Sequence, residues 1–351
     1  MKVQVLNYLG KKVFVGMDVH KKTYAVVAVC DGTIAKKWSM KASPEKVAES
    51  LQSFFLGADI YSAYEAGFSG FRLHRVLVES GIKNIVVNAA SIEVRANDRV
   101  KTDKRDATKI AEQLSRGSLR GIYVPSIAEE NRRALSRGRE QVVERRRRIG
   151  NQLKMKLHFL GFELPEDKKI SESYFKWVAS LTMSVENRFA VDELKSAWRE
   201  ESKRIKRFDE ELAVQAEKDP VELIYRSMPG VGRVSARVLS NELGDMTRFD
   251  NERQLFSSSG LTPSEHTSGD HVRKGHISRQ GSPRIRGLLV EVAWRAIETD
   301  ASLKQFYVKV ARKRDGKRAI VAVARKILGR LRYCLKEKTM WKDMTVVAKA
   351  A

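Results

Sequence analysis

The amino-acid sequence predicts an α/β domain over 1–126, a basic helical arm, of coiled-coil type, over 127–219 and a mostly α domain over 220–351. Three observations carry this division. Short apolar runs broken by turn residues fill the first third of the chain, strand character disappears beyond Ile127, and beyond Pro220 helical periodicity is punctuated by Pro-Gly and Gly-rich turns.

The first three runs, Val13 to Val19, Thr23 to Val29 and Thr33 to Trp38, read as a β-meander with Asp31-Gly32 as its second turn. Helical spacing follows from Pro44 to about Leu56, then a strand at Ile60 to Tyr64, a helix at Ser69 to Glu79 and a strand at Asn84 to Asn88. A meander continued by alternating helices and strands predicts a mixed sheet flanked by helices. From Ile127 to about Phe162 the chain is Arg-rich and helical, with the run Arg145, Arg146, Arg147 and Arg148. A second helix from Val185 to Lys218 places Phe189, Leu194, Trp198, Ile205, Phe208 and Leu212 at helical spacing. These two helices either pair with each other as an antiparallel arm or associate with those of another copy.

The 351 residues carry 67 Lys and Arg against 43 Asp and Glu, a net charge of +24, with 42% apolar residues. That apolar content allows a sizeable core, and the basic excess points to a densely anionic partner, nucleic acid before an anionic membrane surface. No apolar run reaches the roughly 18 to 20 residues of a membrane span, and no leader pattern opens the chain, so the expected location is the cytoplasm, at the nucleoid. Cys30 and Cys334 are the two cysteines, which excludes a disulfide framework and a zinc finger built on paired cysteines. His266, His271 and His276 recur every five residues, a period of neither helix nor strand, and do not read as a metal site.

Asp18 lies on the first strand in GMDVHKK, Glu65 follows a strand in YEAG, and Asp103 and Asp106 open a helix in KTDKRDATKIAEQL, three apart and therefore on one face. Clustered carboxylates repel unless hard cations neutralise them, and two Mg²⁺ ions about 4 Å apart can hold both oxygens of an in-line phosphoryl displacement. Lys101, Lys104 and Arg105 could then hold neighbouring phosphates. The same residues also fit a plain helix start, with Asp103 as its N-cap and Asp106 completing a capping box.

These strings resemble the four-acid motif of the DEDD transposases of the insertion sequence 110 family and of the related Piv DNA invertases. The resemblance implies a RuvC-like, ribonuclease H-like N-terminal domain in which Asp18, Glu65, Asp103 and Asp106 bind metal and are catalytic. It further implies an enzyme that cuts and rejoins DNA by phosphoryl transfer, assembled from several protomers as a dimer or tetramer, and guided by a structured RNA that the element encodes.

In MPGVGRVSARVL, Gly230, Gly232 and Arg233 lie in a Pro-Gly-x-Gly turn between two helical patterns, which resembles a helix-hairpin-helix that grips a DNA backbone through free N–H groups. A tight turn without a ligand has the same pattern. Downstream, Ser268 precedes Gly269 in a polar loop near Arg273, Lys274, Arg279, Arg284 and Arg286, cations able to stabilise a pentacoordinate phosphorus. By composition Ser268 is a turn residue. GLTP followed by this Ser-Gly pair and the SRQGSPRIRG stretch matches the C-terminal domain of the same family, which implies that Ser268 is the nucleophile. Two positions depart from the family pattern: Thr267 stands where a second serine is frequent, and Arg279 where a lysine is frequent.

A site-specific invertase or a RuvC-like junction-resolving nuclease shares these motifs, and a nonenzymatic nucleic-acid scaffold shares the charge. Mg²⁺-dependent cleavage separates the scaffold from the enzymes.

Overall fold

A computed structural model of the chain describes residues 8–93, 102–165, 169–265 and 274–341, divided into two compact units, 1–125 and 126–351. In the first unit, β1 (Lys12–Val19), β2 (Thr23–Cys30) and β3 (Thr33–Lys41) form an antiparallel meander. After α1 (Pro44–Phe54), β4 (Asp59–Glu65) pairs with β1 in parallel, and after α2 (Arg72–Glu79), β5 (Lys83–Val87) pairs with β4 in parallel. The result is a five-stranded mixed sheet of order β3-β2-β1-β4-β5. Each strand lies within one to three residues of its sequence expectation, because period-two burial and turn residues mark strands locally. β3 continues through Lys41, three residues past Trp38, because it pairs along β2 as far as Thr23.

Alternation assigns the two faces. Val13, Val15 and Met17 of β1 and Tyr64 of β4 pack with Leu51 of α1, Phe55 just after it, and Leu73 and Leu77 of α2. The opposite face presents Ala25, Val27 and Val29 of β2 to Ala107 and Ala111 of α3 (Asp103–Ser115), and Ala63 of β4 to its Ile110. Gly16 lies on this second face, where a Cβ would stand 2.1 Å from the Ala107 carbonyl oxygen and 2.4 Å from the Ala111 nitrogen. Only glycine admits α3 so close to β1.

The second unit opens with α4 (Ile127–Phe159), started by a capping box in which Ser126 and Glu129 exchange side-chain to backbone hydrogen bonds. α5 (Glu172–Ser180), a helix the sequence reading omitted, packs Tyr174, Phe175 and Val178 against Leu153, Leu157 and Val191. α6 (Val185–Glu217) runs antiparallel to α4, as the pairs Arg139 with Asp209 and Arg145 with Glu201 require. Within α6, Val191, Ile205 and Leu212 are buried, whereas Phe189 is 68% exposed. It sits at the hairpin end, level with the last turn of α4, where the partner helix stops covering it.

The remainder comprises α7 (Glu222–Ser227), α8 (Arg233–Leu243), α9 (Glu252–Ser259), a two-stranded pair β6 (Pro263–Glu265) and β7 (Lys274–Ile277), α10 (Pro283–Thr299), α11 (Ala301–Lys313) and α12 (Gly316–Lys336). Its core gathers Tyr225, Leu239, Leu289, Ala293, Val323 and Leu328 from four of these helices. Beside it, the guanidinium of Arg237, almost fully buried, ion-pairs with Asp219 and with Glu222 at 3.1 Å. Burial raises the Asp219 carboxyl, but hydrogen bonds from Ser240, Arg237 and the Val221 N–H outweigh it and hold the group below the usual carboxylate range. Among the described residues no helix is long and apolar enough to cross a membrane.

Candidate functional site

The first-unit sheet and α3 bring three of the four sequence-predicted acids into one electrostatic group. Asp18 is the seventh residue of β1, on the α3 side by alternation from Gly16. Asp103 and Asp106 occupy the first turn of α3, where the helix N-terminus favours negative charge. Their N-cap is Thr102, whose hydroxyl accepts the Arg105 N–H, so Asp103 is not the cap and its carboxylate is not used for capping. Burial raises the Asp18 carboxyl above its ordinary value; the charges of Asp103 and Asp106 raise it further, and His20 opposes them. Glu65 closes β4 one step beyond the Met17 to Tyr64 register pair, so it lies beside Asp18 on the neighbouring parallel strand, on the same sheet face, and is exposed.

His20 is a member of this group that the sequence reading missed. Its Nε2 stands 3.2 Å from Asp18 Oδ2 and 3.4 Å from Asp103 Oδ2, and the ligand atoms of the three residues lie within 4.8 Å of one another. The signal was present as Asp-x-His at a strand end, since residues two apart face the same side. Lys109 Nζ lies 3.3 Å from Asp106 Oδ1 and partly neutralises it. Oxygen donors with one imidazole, gathered at the ends of two interior strands with a carboxyl raised by burial and by its neighbours' charge, are a donor set suited to divalent cations. Lys104 and Arg105 are exposed beside Asp103, while Lys101 lies outside the described residues.

The basic candidates of the second unit divide by environment. The run on α4 does not form one face, because successive helical residues point about 100° apart. Arg145 crosses to Glu201 at 3.3 Å, Arg146 lies over the Trp198 ring, and Arg147 and Arg148 both reach Glu144, at 2.7 and 3.2 Å. Arg147 and Arg148, 64% and 72% exposed, are the most open of the four to an external phosphate, and Arg145 is 47% exposed beside Glu201. Arg284 ion-pairs with Glu140 of α4, and Arg286 donates to the Ser259 and Arg279 carbonyls, so both also brace the unit.

Met228 to Gly232 joins α7 to α8 in the expected short turn. Gly230 has φ +77°, and a Cβ there would meet the Val292 carbonyl oxygen at 2.6 Å, so this side of the turn is packed on α10. The Val231 N–H bonds the Met228 carbonyl at 3.2 Å and is not free for a phosphate, contrary to the expectation that the N–H groups across the turn are open. Gly232 and Arg233 begin α8. Ser268 and Arg273 lie outside the described residues, between β6 and β7; Lys274 opens β7, and Arg279, at φ +56°, follows it.

A sheet that gathers strand-end carboxylates, in a chain of net charge +24, defines a protein of the polynucleotide-handling class. Comparison with known proteins gives the particular family. A transposase family model, of the DEDD type of IS110 elements, matches residues 15–161, and the model of the transposase IS116/IS110/IS902 family matches residues 223–308. The chain belongs to the IS110 family of transposases. It is 29% identical to the putative transposase y4qE of Sinorhizobium fredii, over 81% of this chain and 72% of that protein. It is also 28% identical to the transposase for insertion sequence element IS1533 of Leptospira borgpetersenii, over 82% of this chain and 86% of that protein. The transposase for insertion sequence element IS1111A of Coxiella burnetii is 27% identical, with 72% and 71% covered.

Proposed function

We propose that this chain is the DNA recombinase of an insertion sequence, cutting and rejoining DNA strands by phosphoryl transfer with the four carboxylates and Ser268. The observation that carries the reading is the grouping of Asp18, Asp103 and Asp106 on the α3 side of the sheet, with Glu65 on the adjacent strand end. The strand order β3-β2-β1-β4-β5, with its antiparallel meander and parallel continuation, supports a RuvC-like description of this unit. Asp18, Glu65, Asp103 and Asp106 would hold two Mg²⁺ ions, which supply charge neutralisation for the attacking and leaving oxygens.

The chain's own groups divide the remaining work. Lys104 and Arg105, with Lys101, hold phosphates beside the scissile one, and Arg147 and Arg148 add nucleic-acid contacts from the arm. Of the turn from Gly230 to Arg233, the end at Gly232 and Arg233 grips the backbone, where the N-terminal N–H groups of α8 suit an anion. The Ser268 hydroxyl attacks phosphorus, forming a phosphoserine ester as the P–O bond to one DNA end breaks, with that end leaving as a hydroxyl. Attack on the ester by another DNA hydroxyl then releases the serine, so the number of phosphodiester bonds is conserved. Arg273, Lys274 and Arg279 stabilise the charge at phosphorus. A structured RNA encoded by the element selects the DNA, and several protomers act together so that two DNA partners are exchanged.

The test is a covalent trap. Labelled DNA incubated with the protein and Mg²⁺ is denatured, and the protein band is scored for attached label. The wild-type chain is expected to carry the label, and Ser268→Ala to lose both the adduct and recombination while retaining DNA binding. Recombination by Ser268→Ala at the wild-type rate removes the serine from the mechanism.

A further inference from the structure

We infer that His20 is a metal ligand in its own right, so that one cation position of the carboxylate site is a mixed oxygen and nitrogen site that favours Mn²⁺ and other transition ions over Mg²⁺. The inference rests on the reading of Asp18 and its neighbours as the metal-binding acids. The geometry is specific. Two ligands at right angles on an octahedral ion, each bonded at about 2.1 Å, stand about 3 Å apart. His20 Nε2 keeps 3.2 Å to Asp18 and 3.4 Å to Asp103, flanked by one carboxylate oxygen from each of two separate elements. All three ligand atoms are mutually within 4.8 Å, close enough to share one ion.

The backbone holds the imidazole there. His20 directly follows β1, and its N–H bonds the Thr23 carbonyl at 3.0 Å across the turn into β2. Strand alternation therefore aims His20 to the same side as Asp18. The ring is half-exposed and has no core role, so this placement answers to the two carboxylates. Carboxylates alone suit Mg²⁺, whereas an added imidazole raises affinity for later first-row ions.

The test uses the full-length chain with Mn²⁺ and pulsed electron paramagnetic resonance, which reads nitrogen coupled to the bound ion independently of activity. The wild-type protein is expected to show ¹⁴N coupling that changes to the ¹⁵N pattern when histidine is ¹⁵N-labelled. His20→Gln should bind Mn²⁺ on the order of tenfold more weakly and lose the coupling, with a smaller change for Mg²⁺. An unchanged far-ultraviolet circular dichroism spectrum checks that the variant is folded. Bound Mn²⁺ without nitrogen coupling in the wild-type chain overturns the His20 assignment and leaves the carboxylate site standing. Mn²⁺ binding that is absent, or unaffected by Asp18→Asn and Asp106→Asn, overturns both.

Discussion

Gly16, Asp18 and Asp219 show how single positions shape this chain. Gly16 lets α3 approach β1, which is what carries Asp103 and Asp106 to Asp18. Gly16→Ala forces the helix away and is expected to lower the unfolding free energy by about 1–3 kcal/mol, read by urea denaturation, and to weaken Mn²⁺ binding in parallel. Stability lost with metal affinity unchanged would break that link. Asp18→Asn and Asp106→Asn should each lose Mg²⁺-dependent strand cleavage while the fold is retained, since a charge in a repulsive cluster is removed; wild-type cleavage in either sinks the carboxylate assignment. Asp219 shares buried Arg237 with Glu222, and Asp219→Asn leaves that cation one carboxylate partner, at a cost below the roughly 3–5 kcal/mol of a fully unpaired buried charge. Because its folded-state pKa is lowered, the contribution of Asp219 is fully present above the ordinary carboxylate value of about 3.9 and is lost as pH falls through the folded value. The stability gap between wild type and variant should therefore be level from neutral pH down to about 5 and narrow below about 4; a gap that widens on acidification contradicts the sign.

The arm shows that an element's charges need not share one task. α4 and α6 are each 33 residues, about 50 Å of helix, and their cross-links at Arg139 with Asp209 and Arg145 with Glu201 set which faces meet. Arg145 is thus a structural cation, whereas Arg147 and Arg148 project outward. Replacing Arg147 and Arg148 together by Ala is expected to flatten the salt dependence of nucleic-acid affinity by about two units of slope, one per lost phosphate contact. Arg145→Ala, which removes a cross-brace to Glu201, should change the slope less than the double replacement does and lower thermal stability as well. Equal slopes for all three proteins would make the arm a spacer.

For the whole molecule, each unit has its own core: sheet, α1 and α2 in 1–125, and, among the described residues of 126–351, a helical cluster of 25 buried hydrophobic residues and a smaller one of α4, α5 and α6. Residues 1–125 produced alone should unfold cooperatively and still bind Mn²⁺, because Asp18, His20, Glu65, Asp103 and Asp106 all lie within them. A broad, non-cooperative melt of that fragment would show that its sheet needs the rest of the chain.

The strands and both long helices were legible in the sequence because each is signalled locally, by period-two or period-3.6 burial and turn residues, whereas the four acids were joined into one motif by family resemblance. The basic balance likewise stated an anionic partner before any fold was known. Tertiary structure alone decided what depends on approach between distant residues. Gly16 against Ala107, His20 against Asp103, and Arg145 across to Glu201 join positions about 55 to 90 residues apart in sequence, and no local pattern encodes which charge a folded neighbour will meet. The four arginines from 145 to 148 look identical as a string. Helical rotation and the packing of α6 separate them into a half-exposed cross-brace, a ring contact and two more exposed cations, because electrostatic roles are set by distance and burial rather than by order along the chain.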